Sequence, residues 1–143
     1  MKIGFLTDKN GYRAPIHPES IEKYSLDVHL EKDIFEYLKY SESIQNNVKT
    51  ISKVSDLDIV ACVENIEDKK IKDLKEGAIL IGIFDFEKIE EIKNLRPDIK
   101  ILSFFKLPRI SRAQNLDALS SQANLLGYAS VLRAAKETSD VVP

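Results

Sequence analysis

Five side chains able to grip a small polar ligand, Arg109, Arg112, Gln114, Asp117 and Ser120, crowd into the segment from Leu107 to Asn124. The two arginines offer planar cationic forks and Gln114 offers an amide that both donates and accepts. Asp117 and Ser120 stand one helical turn apart if the segment coils. Such a set can clamp a carboxamide and a ribose. The same residues also have a structural reading. Asn115 or Asp117 would cap a helix, gaining ~0.3–1 kcal/mol from the helix dipole in the case of the acid. Arg109 and Arg112 would pair with surface carboxylates for ~0–1 kcal/mol. Composition alone favours the structural reading, because loops of this make-up are common.

The elements that must position this segment are legible as apolar runs. Lys2 to Leu6, Asp27 to Leu30, Val48 to Ser52, Asp58 to Val63, Ala78 to Phe84 and Lys100 to Phe105 are rich in Val, Ile, Leu and Phe. They alternate with stretches of helical spacing at Pro18 to Tyr24, Asp33 to Ser43, Glu67 to Lys75 and Phe86 to Asn94. That alternation predicts β-α units and a mainly parallel sheet. Pro18 suits a helix opening and Pro97 the turn before the sixth strand. From Asn115 to Lys136, Leu116, Leu119, Ala123, Leu126, Gly127, Ser130, Val131 and Ala134 recur at three and four, which predicts one dry stripe on a long helix. Gly127 inside that helix costs ~1 kcal/mol against alanine, so a close backbone neighbour is expected there. The chain is expected to form a single flavodoxin-like, three-layer α/β domain over residues 1–143, ending in this long helix.

In an open α/β sheet, ligands meet the protein just beyond the carboxyl ends of the strands. The polar segment follows the sixth strand and so stands at such an end. The usual phosphate grips are absent, since the five glycines, at 4, 11, 77, 82 and 127, form neither a G-x-G-x-x-G turn nor a Walker loop.

Bulk composition narrows the partners. A net charge of −2, with 31% charged residues almost evenly split in sign, gives no pull toward nucleic acid. One cysteine, Cys62, and two histidines exclude an internal disulfide and an ordinary structural zinc site, so no metal is expected. Cys62 sits in an apolar strand and reads as a small buried hydrophobe. The opening MKIGFLTDKNGYR lacks the long apolar core of a signal peptide, and no stretch approaches the ~20 apolar residues of a membrane-spanning helix. A cytoplasmic location is expected.

The run PRISRAQNLDALSSQANLLGY, over about twenty consecutive positions from Pro108, resembles the signature of the NAD(H)-binding component of proton-translocating NAD(P) transhydrogenases. The opening, Lys2-Ile3-Gly4 followed by Gly11-Tyr12-Arg13-Ala14-Pro15-Ile16-His17-Pro18-Glu19, resembles the same family more loosely. That superfamily includes alanine dehydrogenase. The resemblance implies that the loop reaches over the nicotinamide of NAD(H), in a cleft shared with a following Rossmann domain that lies outside this chain. It implies that Arg109, Asp117 and Ser120 orient the carboxamide and ring, and that Gln114 helps set the approach of the second nicotinamide. Gln114 and Asp117 are then the catalytic positions, with Arg112 in support. Arg13 aligns with an arginine that holds the substrate carboxylate in alanine dehydrogenases, and a simple ion pair is the equal alternative. Implied partners are the Rossmann NAD-binding domain, the NADP(H)-binding and membrane components, and a second copy in the full component. The chain would then lie beside the inner membrane through those subunits.

Departures from the family pattern matter too. Cys62 stands where relatives place a lysine, and Ile83-Phe84 where a histidine is usual. Both polar groups serve the amino-acid substrate in the dehydrogenases, so their loss argues against that activity. Three readings result: a transhydrogenase component that is inactive alone, a divergent non-enzymatic interaction module, and, last, the amino-terminal domain of an alanine dehydrogenase.

Overall fold

The computed structural model describes residues 1–8, 13–23, 27–34, 48–108 and 110–137. Six strands, β1 (Ile3–Phe5), β2 (Val28–Leu30), β3 (Lys49–Thr50), β4 (Ile59–Ala61), β5 (Ile79–Gly82) and β6 (Lys100–Ser103), form one sheet in the order β3-β2-β1-β4-β5-β6. Every adjacent pair is parallel. This is the doubly wound order, with the winding direction reversing between β1 and β4. Helices α1 (Pro18–Lys23), α2 (Asp68–Lys72), α3 (Phe86–Leu95) and α4 (Ala118–Glu137) lie among the described residues. The expected α/β fold, with its parallel sheet and long carboxyl-terminal helix, is present. The helix expected at Asp33 to Ser43 falls largely outside the described residues, and so does Arg109.

The chain divides into two compact units, Met1–Ser103 and Phe104–Pro143. In the first, alternation along β1 sends Leu6 into a cluster with Leu57, Val60, Ile71, Leu80, Ile89 and Ile92, while Phe5 packs on Ile21, Val28, Leu30 and Ile34. Successive residues of a strand face opposite ways, so the two clusters cover opposite faces of the sheet. Val60, Leu80 and Ile92 are fully buried, each worth about 1.5–3 kcal/mol by transfer from water.

Two glycines are required by geometry. Gly77, in the turn before β5, has φ of 70°, the left-handed region that a side chain disfavours, and its N–H donates to Asp98 Oδ2 at 3.1 Å. At Gly82 a Cβ would lie 2.5 Å from Phe84 Cζ and 3.0 Å from the Cys62 carbonyl oxygen, so only glycine fits. Just beyond it, Ser103 Oγ donates to the Phe84 carbonyl at 2.6 Å and accepts from Phe84 N at 3.0 Å, which ties the end of β6 to the segment after β5.

Three expectations change. The sixth strand ends at Ser103, and Phe104–Lys106 form a 3-10 turn that redirects the chain. The long helix begins at Ala118, because Ser111–Leu116 make a separate 3-10 turn and Asp117 supplies the helix cap. The helix also carries no single dry stripe. Leu125, Leu126, Tyr128, Val131 and Leu132 are each more than half exposed, and adjacent positions such as Leu125 and Leu126 point ~100° apart. Gly127 meets nothing within 4 Å, so no close backbone neighbour explains it among the described residues.

Candidate functional site

The second unit folds around a cavity of about 230 Å³. Phe104 and Phe105 reach it from the turn after β6, Leu107 and Pro108 from the link that comes next, and Ser111 and Gln114 from the second 3-10 turn. Asp117 lines it from the start of α4. Ligand cavities for drug-sized molecules run to ~300–1,000 Å³, so this one has room for a single ring and not for a dinucleotide.

Asp117 works locally as well. Its Oδ1 accepts from Ser120 N at 3.0 Å, the N-cap bond of a helix whose first turn begins at Ala118, and its Oδ2 accepts from Ser120 Oγ at 2.6 Å. Its carbonyl accepts from Ser121 Oγ at 3.3 Å. The structural reading of Asp117 therefore holds, and the carboxylate still lines the cavity with its orientation set by the helix it caps. Of the residues singled out in the sequence, Gln114 and Asp117 meet at the cavity. Ser120 is exposed and reaches it through Asp117 alone, and Arg112 is exposed and outside the lining.

Arg13 belongs to the first unit and is already engaged. Its Nη1 and Nη2 donate to the two oxygens of Glu64 at 3.1 and 2.8 Å, and Nη2 donates to Asp8 Oδ2 at 2.9 Å. The Glu64 hydrogen bonds, aided by Asp8 and opposed by burial, hold the guanidinium pKa above its ordinary value. Beside this triad, Glu31 Oε2 accepts from Thr7 N at 2.9 Å and Thr7 Oγ1 at 2.8 Å, while Oε1 pairs with Lys70. Burial pushes the Glu31 carboxyl up, but the bonds from Lys70 and Thr7 outweigh it and leave the pKa below the usual glutamate value.

Thr7, Asp8, Glu31 and Glu64 all follow the carboxyl ends of β1, β2 and β4, where the winding reverses. The crevice that doubly wound sheets commonly give to a ligand is thus bridged here by the protein's own ion pairs. Sequence reasoning singled out Arg13 but missed its carboxylate partners. Their position just after apolar runs was the available signal. Cys62 and Phe84, at the two positions where relatives carry polar groups, are 3% and 1% exposed and belong to the core. Burial pushes the Cys62 thiol up to about 12, which leaves it unreactive.

No helix among the described residues is long and apolar enough to cross a membrane. Fold and cavity together define a class: a doubly wound parallel α/β body followed by a compact unit with a ring-sized, partly polar cavity. Comparison with known proteins narrows it. The chain is 35% identical over 139 residues to the NAD(P) transhydrogenase subunit alpha of Haemophilus influenzae, covering 90% of this chain and 27% of that protein. It is 33% identical over 160 aligned positions to an NAD(P) transhydrogenase subunit alpha protein of Rickettsia prowazekii, covering all of this chain and 42% of that protein. The crystal structure of transhydrogenase from Sinorhizobium meliloti superposes with a TM-score of 0.86 at 26% identity, over 100% of this chain and 46% of that one. An L-alanine dehydrogenase structure shares the fold over 78% of this chain, with a TM-score of 0.61 at 15% identity. No family model matches. The chain is homologous to the NAD(P) transhydrogenase alpha subunits, and it spans less than half the length of these relatives.

Proposed function

We propose that this chain is the portion of an NAD(P) transhydrogenase alpha component that positions the nicotinamide of NAD(H) for hydride transfer to NADP, coupled to proton translocation, and that it is inactive alone. One observation carries the reading: Gln114 and Asp117 line a cavity of about 230 Å³ that suits one ring and leaves no room for a pyrophosphate. The donor set fits a carboxamide. Gln114 both donates and accepts, Asp117 accepts, and the cap bond with Ser120 holds the carboxylate in place. The bound cofactor would supply the hydride chemistry itself, which needs no protein acid or base at the reacting carbon. The protein's role is orientation, with Gln114 and Asp117 fixing the ring, Arg109 and Ser120 supporting it, and the phenylalanine walls excluding water.

The phosphates would be held by a Rossmann domain outside this chain, and NADP(H) by another component. A membrane component and a second copy would complete the assembly, which would place the chain beside the inner membrane. Calorimetry of the chain with NADH should give no micromolar binding alone. Adding a separately expressed Rossmann subunit should restore binding, and Gln114→Ala should then lower the rate of hydride transfer about tenfold or more. Micromolar affinity of the isolated chain for NADH would overturn the reading.

Alanine dehydrogenase activity is a weaker reading, because the Arg13 fork that would take a substrate carboxylate already holds Glu64 and Asp8. A non-enzymatic interaction module gains support from the exposed apolar side chains of α4. Failure of the chain to form any complex with the Rossmann subunit would favour that module.

A further inference from the structure

We infer that Phe105 provides the face on which a flat heteroaromatic ring stacks, so that the cavity after β6 selects planar over puckered rings. This rests on the nicotinamide reading of the same cavity and adds a residue and a shape criterion to it. Phe105 is 43% exposed, whereas Phe84, a core phenylalanine of the same chain, is 1% exposed. Burial in the core therefore does not account for Phe105, and its ring lines the cavity. Phe104 and Phe105 are consecutive in a 3-10 turn, where side chains step ~120° apart, yet both reach the same cavity and give it two aromatic surfaces. The polar liners Gln114 and Asp117 come from different elements, and the Asp117 carboxylate is immobilised by Ser120. Aromatic surface and polar anchors thus arrive from separate segments, as a planar carboxamide requires: contact on the ring face and hydrogen bonds at the ring edge. An aliphatic wall would accept a saturated ring of the same size equally well. An aromatic wall adds offset stacking, worth about two- to tenfold in affinity beyond apolar contact.

The test is an NMR titration of the full 143-residue chain with nicotinamide and with its saturated counterpart, piperidine-3-carboxamide, following the side-chain amide of Gln114. Nicotinamide is expected to shift that amide and to bind about fivefold or more tighter than the saturated ring. Phe105→Ala should weaken nicotinamide about tenfold and abolish the preference, while Phe105→Tyr should keep both. If nicotinamide shifts Gln114 with equal affinity in the wild-type chain and in Phe105→Ala, the stacking role is overturned and the nicotinamide reading stands. Equal affinity of the wild-type chain for the two rings also overturns it, whatever the variants do. If nicotinamide leaves the Gln114 amide unmoved in the wild-type chain, the underlying reading falls as well.

Discussion

Asp117 carries two duties that substitution can separate. As helix cap it satisfies a backbone N–H that would otherwise be orphaned, and Asn caps about as well as Asp. Asp117→Asn should therefore leave the urea midpoint almost unchanged, whereas Asp117→Ala should cost about 1 kcal/mol in the unfolding free energy of the unit containing α4. In the complex with a Rossmann subunit, both variants should slow hydride transfer if the negative charge orients the ring, and only the alanine variant should do so if the cap alone matters. Glu31 gives a second residue-scale expectation. Its pKa in the folded chain lies below the ordinary value, despite burial, because Lys70 and Thr7 hydrogen-bond to the ionised form. The stabilisation is fully present above the unfolded glutamate pKa and is lost as pH falls through the lower folded value. Urea unfolding from pH 6 downward should show wild-type stability declining through the acid range. Glu31→Gln should be less stable at neutral pH and decline less steeply.

At the scale of elements, the close approach at Gly82 joins three strands' worth of packing. A methyl group there would run into the Phe84 ring and the Cys62 carbonyl, and the backbone partner cannot rotate away. Gly82→Ala should destabilise the sheet by about 1–3 kcal/mol, seen as a lowered urea midpoint, and Phe84→Leu should partly rescue it by clearing the ring. Helix α4 behaves differently. None of its residues is buried, so Leu126→Glu should change the unfolding free energy by no more than about 0.5 kcal/mol, measured by urea titration. A helix apolar on several sides is one that neighbours normally cover. The expected single stripe fails here for an identifiable reason. Positions three and four apart were matched along Leu119, Ala123 and Leu126, while Leu125, Tyr128 and Leu132 lie off that line and were left out of the pattern.

For the whole molecule, the strands were the most legible feature. Each apolar run contains a strand, because a parallel strand covered on both faces needs uninterrupted Val, Ile and Leu and leaves an unmistakable trace. Boundaries were less so: the sixth run continues to Phe105, but the sheet stops at Ser103, since hydrophobicity marks burial and not the point where a chain turns. The sequence by itself determined the α/β class, the long final helix and the segment where Gln114 and Asp117 would act, all of which depend on local spacing and on consecutive residue types. Only the tertiary structure decided the strand order, the ring-sized cavity, and the capture of Arg13 by Asp8 and Glu64. Those depend on residues far apart in the chain, Arg13 and Glu64 among them, being brought within hydrogen-bond reach, which no local pattern encodes.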